Sequence, residues 1–145
     1  MEINRRVWLI APVCLLFAAD VALTLAGQPT SYWAGDFTAA IEANPVAFLL
    51  LASSPWLFVG FAVAWAGVLV VLVIVWQHRR AKWLVVLVAM AHAIGASSWL
   101  LRSGPWGWAS AVGYLLIVSE LSRWGWRRAG WLSSSGQTVV TPRVE

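Results

Sequence analysis

PWLFVGFAVAWAGVLVVLVIVW, residues 55–76, carries no ionisable side chain. A helix of about 20 apolar residues crosses the hydrocarbon core of a bilayer. Lipid offers the backbone no hydrogen-bond partner, so such a stretch must satisfy its own N–H and C=O groups, and a helix does so. Residues 55–76 therefore read as a transmembrane helix. Three further apolar stretches flank it: Val7–Ala26, Trp83–Leu101 and Trp106–Leu121, the last extending towards Trp124. The expected fold is all-α, a four-transmembrane-helix bundle filling residues 1–132, with spans at 7–26, 55–76, 83–101 and 106–124. Residues 133–145 are polar, with Ser-Gly punctuation, and are expected to form a disordered cytoplasmic tail.

Composition supports this. The chain has 145 residues, 61% hydrophobic and only 11% charged, with mean hydropathy +0.75. Soluble domains carry about 25% charged residues. The net charge of +4 does not point to nucleic acid, because the basic residues flank apolar stretches and form no basic stripe. Cys14 is the single cysteine. It excludes an intrachain disulfide and a CxxC motif, and is expected to act as a small packing residue. Pro12 and the lack of a clear A-x-A site argue against a cleaved signal peptide.

Orientation follows from the charges. Arg5 and Arg6 precede the first span, Arg79, Arg80 and Lys82 lie between the second and third, and Arg123, Arg127 and Arg128 follow the fourth. An even number of spans puts all of these on one side and leaves Arg102 opposite. The positive-inside rule then places both termini in the cytoplasm, in an inner, multi-pass membrane protein. Most of the twelve tryptophans fall near predicted span ends, where indole prefers the headgroup level. Trp65 is the exception, inside the second span. Arg127 and Arg128 with Trp124, Trp126 and Trp131 suit anionic lipid at the cytoplasmic face. Small residues at Gly60, Ala64 and Gly67, at Ala91 and Gly95, and at Ala109 and Gly113 suggest close helix contacts.

The longest connection is Gly27–Ser54. Asn44-Pro45 and Ser54-Pro55 each have the form of a cap followed by a first-turn proline. They predict a short helix around Phe37–Glu42 and a second short segment, Pro45–Ser53. That segment is external or re-entrant, or else continues into the second span with a kink near Pro55.

The first and third spans each carry one acidic or basic residue, Asp20 and His92. Asp20 is roughly 20 Å along the first helix and His92 roughly 14 Å into the third, at ~1.5 Å per residue. A charge at mid-membrane costs about 2.5–3.5 kcal/mol on insertion scales, so such residues face a bundle interior and mark function. Thr24 shares a helix face with Asp20. Glu42 and Asn44 are placed to fold over them from outside. The candidate binding cluster is thus Asp20, Thr24, Glu42, Asn44 and His92.

Asp20-x-x-x-Thr24 followed by Glu42-Ala43-Asn44-Pro45 resembles a family of small bacterial and archaeal multi-span membrane proteins, catalogued only as a domain of unknown function. The resemblance covers the first half of the chain. It implies a multi-span fold and supplies no activity, cofactor or catalytic residue.

Three functions compete. The first is a structural, accessory or assembly component of a membrane complex, with Asp20 bonded to His92 or to backbone, or a homo-oligomer. Small size and the lack of a catalytic motif favour it. The second is a proton- or cation-linked transporter or channel using Asp20, Glu42 and His92 on an outward-facing cluster. The third is a metal-dependent hydrolase, with the same three residues as ligands of a divalent metal; no HExxH or other zinc signature is present. No cofactor is expected otherwise, and the balance leans away from an enzyme. G-x-S-x-G, P-loop, Rossmann and C-x-x-C-H motifs are missing. Glu120 and Arg123 are expected to pair at i,i+3, and His78 sits in a solvated turn.

Overall fold

The structure, a computed structural model, describes residues 3–76 and 78–131. The expected tail at 133–145 lies outside them. The described chain is helical throughout: α1 (Ile3–Ala26), α2 (Thr30–Trp33), a 3₁₀ turn (Phe37–Ala39), α3 (Pro45–Ser53), α4 (Pro55–Val75), α5 (His78–Leu101) and α6 (Gly107–Arg128). Among the described residues, three helices are long and apolar enough to cross a membrane: Arg5–Ala26, Pro55–Val75 and Arg79–Leu101. α6 has the length, but Glu120, Arg123, Arg127 and Arg128 lower the apolarity of its second half.

α1 and α5 form the central pair. Each touches both α4 and α6, whereas α4 and α6 do not meet. The bundle is therefore two three-helix groups sharing one pair. Its main core runs along that pair through Leu9, Val13, Leu16, Val85 and Ala89. Pro12, inside α1, seats against α6 at Gly125; a Cβ there would lie 2.6 Å from Pro12 Cγ and 2.9 Å from the Trp8 carbonyl oxygen.

The basic residues gather at one end. The Arg6 guanidinium donates to the carbonyls of Val73, Ile74 and Trp76, the first at 3.0 Å. It satisfies last-turn acceptors of α4 that have no partner within the helix. Arg128 lies over the rings of Trp8 and Trp124, and Lys82 over that of Trp131. Arg123 pairs with Glu120 at 2.6 Å, as the i,i+3 spacing implies.

At the other end the long connection folds on itself. Tyr32, Ala40, Leu51 and Phe58 form a second core, against which Val21 and Leu25 of α1 pack. The Tyr32 hydroxyl donates to the Leu51 carbonyl at 3.1 Å; burial pushes this phenol up, which keeps its proton in place. Asn44 Oδ1 accepts from the N–H of Val46 at 3.0 Å and caps α3. Ser54 Oγ accepts from Trp56 N–H at 3.2 Å and caps α4. Ser54 itself is extended, φ −174°, ψ 140°. α3 is thus a separate helix and not a continuation of the second span.

Three expectations need correction. The helix expected at Phe37–Glu42 is one 3₁₀ turn, capped by Asp36 Oδ1 through the Thr38 N–H and hydroxyl. α2 was hidden in a stretch whose turn-rich composition reads as loop. The Gly60, Ala64, Gly67 stripe does not make a helix contact: all three are exposed, and a Cβ at Gly60 or Gly67 would meet nothing within 4 Å. Cys14 is likewise exposed. It borders the small apolar gap between α1, α4 and α5 and is not part of the buried core.

Candidate functional site

α1 and α5 pack most closely where Asp20 faces His92. His92 Nδ1 lies 2.7 Å from Asp20 Oδ2. The two side chains are 18% and 20% exposed, so both face inward with an opening left to them. The sequence places these residues at compatible depths; the helix pairing makes them partners. A nitrogen and an oxygen this close share one proton. With Asp20 ionised, Nδ1–H donates to Oδ2, and this fixes the tautomer, leaving Nε2 without its proton and without a protein partner. The Phe17 ring meets the imidazole edge-on at 4.6 Å and 69°.

Gly95, one turn beyond His92, makes the approach possible. A Cβ at that position would sit 2.7 Å and 2.8 Å from the two Asp20 carboxylate oxygens. The Ala91/Gly95 spacing indicates a helix contact in the sequence, but not that the contact houses a carboxylate.

A cavity of about 640 Å³ adjoins the pair. It lies between α1, the segment entering α3, α4 and α5. Asp20, Thr24, Glu42, Asn44, His92 and Ser98 supply its polar lining. All five residues of the expected cluster therefore border one space. They do not converge on one point. Glu42 Oε1 accepts from Asn44 N–H at 2.8 Å, and Asn44 Oδ1 is engaged in capping α3. Among the described residues no three His, Cys, Asp or Glu side chains group to hold a metal. Asp20, Glu42 and His92 share the cavity wall, with one Glu42 oxygen engaged by its own turn.

Thr24 is buried, and its carbonyl accepts from Gln28 Nε2 at 2.9 Å. Gln28 escaped sequence reasoning because an amide in a loop carries no motif. Its side chain donates to the Ile41 carbonyl at 2.9 Å and accepts from the Ile41 N–H at 2.8 Å. This two-point clasp fixes the chain immediately before Glu42. Ser97 and Ser98 hydroxyls return to the Ala93 and Gly95 carbonyls, so neither is held as a nucleophile by His92.

The cavity has a side door. Phe61 and Trp65 on α4 and Ile94 on α5 line it, yet are 48%, 45% and 67% exposed. Below it, Ile10, Val13, Leu69, Val73, Val85 and Val88 border a wholly apolar gap of about 20 Å³. Polar groups stop at the Asp20–His92 level.

Comparison of the chain with known protein families, curated proteins and solved structures yields no match. The D-x-x-x-T and E-x-N-P resemblance thus gains no support from a family, and function rests on the site.

Proposed function

We propose that this is a four-span inner-membrane protein, both termini cytoplasmic, that binds a small molecule in the α1–α3–α4–α5 cavity through a proton-exchanging Asp20–His92 pair. The observation that carries this is the 2.7 Å contact opening onto a cavity of about 640 Å³. Small-molecule sites span ~300–1,000 Å³ and combine apolar walls with a few polar groups. A purely structural polar bond between membrane helices needs no space beside it. The gathering of the Arg and Lys residues at one end, with Arg102 opposite, supports the orientation. α6 as the fourth span buries one face against α1 and α5, and its terminal Arg127 and Arg128 reach the anionic headgroup level.

The test is ¹⁵N-histidine NMR of the full chain in micelles, with His78→Gln leaving one histidine. The expected spectrum has the proton on Nδ1 and an Nε2 signal that moves with pH. Asp20→Asn should remove the Nδ1 preference. An imidazole locked in one state over the whole pH range in which the protein stays folded would refute the proposal. Reporter fusions at both termini check the orientation.

A second reading, an accessory subunit of a larger complex or a homo-oligomer, is favoured by the outward face of α4, where Gly60, Ala64 and Gly67 leave room for close approach. Crosslinking in native membranes that captures only monomer would eliminate it.

A further inference from the structure

We infer that the ligand of this cavity is a lipophilic organic cation, bound in competition with protons; the inference rests on the proton-exchanging reading above. Three observations carry it. First, the charged lining consists of Asp20, Glu42 and His92, with no Lys or Arg. With His92 neutral, the lining itself carries two carboxylates and no cationic side chain, Arg102 reaching only the ring of Trp99. Such a wall repels anions and attracts cations, the more strongly because apolar surroundings screen little. Second, five aromatic rings line the same space: Phe17, Phe58, Phe61, Trp65 and Trp99. Ring faces attract cations, and aromatic enclosures with acidic residues are a general solution for quaternary ammonium groups. Trp99 already carries the Arg102 guanidinium at 5.0 Å on its ring, Phe17 packs on His92 and Phe58 is buried, so half-exposed Phe61 and Trp65 are the open ring surfaces. Third, the half-exposed Phe61, Trp65 and Ile94 make the opening between α4 and α5 lateral. A molecule soluble in the bilayer enters there without crossing the clasped external segment.

Proton competition follows from the charges facing the pair. α3 and α4 carry no titratable side chain, and α5 contributes only His92 at this level. Glu42 faces the cavity, and Tyr114 of α6 is within electrostatic reach of Asp20. Adding a proton at His92 Nε2 puts a positive charge beside the cation and offsets the negative charge of Asp20. Binding should therefore strengthen as pH rises and should release protons.

Tetraphenylphosphonium and tetraphenylborate, of matched shape and opposite charge, are the probes. Equilibrium binding to the full chain is measured in dodecyl maltoside, subtracting the signal of protein-free micelles. The expected result is saturable tetraphenylphosphonium binding, at least tenfold weaker in Asp20→Asn and in Trp65→Leu, restored by Asp20→Glu, and stronger at alkaline than at acid pH. Circular dichroism and gel filtration verify that the variants fold; Trp65 is half exposed, so its replacement leaves the core intact. Tetraphenylborate binding with the same Asp20 dependence, or tetraphenylphosphonium binding equal in wild type and Asp20→Asn, would overturn the inference. The histidine spectrum of the same sample separates the two proposals. If Nε2 responds to pH but no cation binds, only the cation assignment falls. If Nε2 is silent as well, both fall.

Discussion

Gly95→Ala separates what holds this bundle together from what gives its site a chemistry. The new methyl carbon would come within 2.7–2.8 Å of both Asp20 carboxylate oxygens and 3.0 Å of Cγ. The obstacle is the tip of a side chain, not backbone, so Asp20 swings aside and the helices stay together. Doing so breaks its bond to His92. Interhelical polar bonds in membranes average about 0.6 kcal/mol and reach about 1.7. Replacing glycine by alanine inside a helix returns about 0.8–1 kcal/mol. These terms nearly cancel, and the stability change is expected to stay within about 1 kcal/mol. The site should change far more: without its carboxylate partner the imidazole loses the Nδ1–H tautomer preference, and its ¹⁵N spectrum should come to match that of Asp20→Asn. Stability is read from reversible unfolding in mixed micelles, and the tautomer by NMR on the same sample. An unchanged Nδ1 signal would refute the close approach of Gly95 to Asp20. A loss of several kcal/mol would refute the claim that the side chain, not the helix, yields.

Gly125→Ala should behave oppositely, because its methyl meets the Pro12 ring at 2.6 Å and the Trp8 carbonyl at 2.9 Å; neither can rotate away, and overpacking of about 1–3 kcal/mol should appear in the same unfolding assay with the histidine spectrum retained. Gln28→Leu removes three hydrogen bonds to Thr24 and Ile41 and leaves buried backbone groups unpaired at about 1–3 kcal/mol each; amide exchange at Ile41 should accelerate strongly, while α1 amides near Leu16 should not change. Asn44→Ala deletes the α3 cap, a loss of about 1 kcal/mol, and should raise exchange at Val46 and Ala47 only. Arg6→Ala should fray the last turn of α4, visible as faster exchange of the amides nearest Val75.

Much of the architecture is legible in the chain because long apolar stretches allow little choice. The stretch at residues 55–76 has to be a helix, and α4 begins at Pro55 as its Ser-Pro cap requires. α1, α5 and α6 fall on their apolar stretches, each with an end extended by charged residues that a hydropathy reading trims. Asp20 and His92 stand out by cost alone. Their pairing is a property of α1 against α5, and no single helix encodes it. Gly95 looked like one of several small-residue contacts, yet Gly60, Ala64 and Gly67 share the pattern and face outward. What distinguishes Gly95 is the carboxylate opposite, known only once the helices are in register. Glu42 was only partly legible for a related reason: a carboxylate near Asn-Pro is equally suited to a ligand set and to a turn, and its Oε1 here accepts from the Asn44 N–H two residues on.

The apolar seam beneath the cavity has an electrical consequence. Moving one elementary charge through the full membrane potential is worth about 2.3 kcal/mol per 100 mV. Ile10, Leu69, Val73 and Val85 form an insulating plug on the basic side of the Asp20–His92 pair. A cell could therefore carry an acidic residue deep in its membrane without a leak of current. In the proposed four-span arrangement, a charge held at the Asp20–His92 level from the open side would cross only part of the field. Completing the crossing would require α4 to pull away from α1 and α5. α4 touches α1 and α5 but not α6 and is held at the basic end by Arg6, so it is the long helix that such a separation would displace.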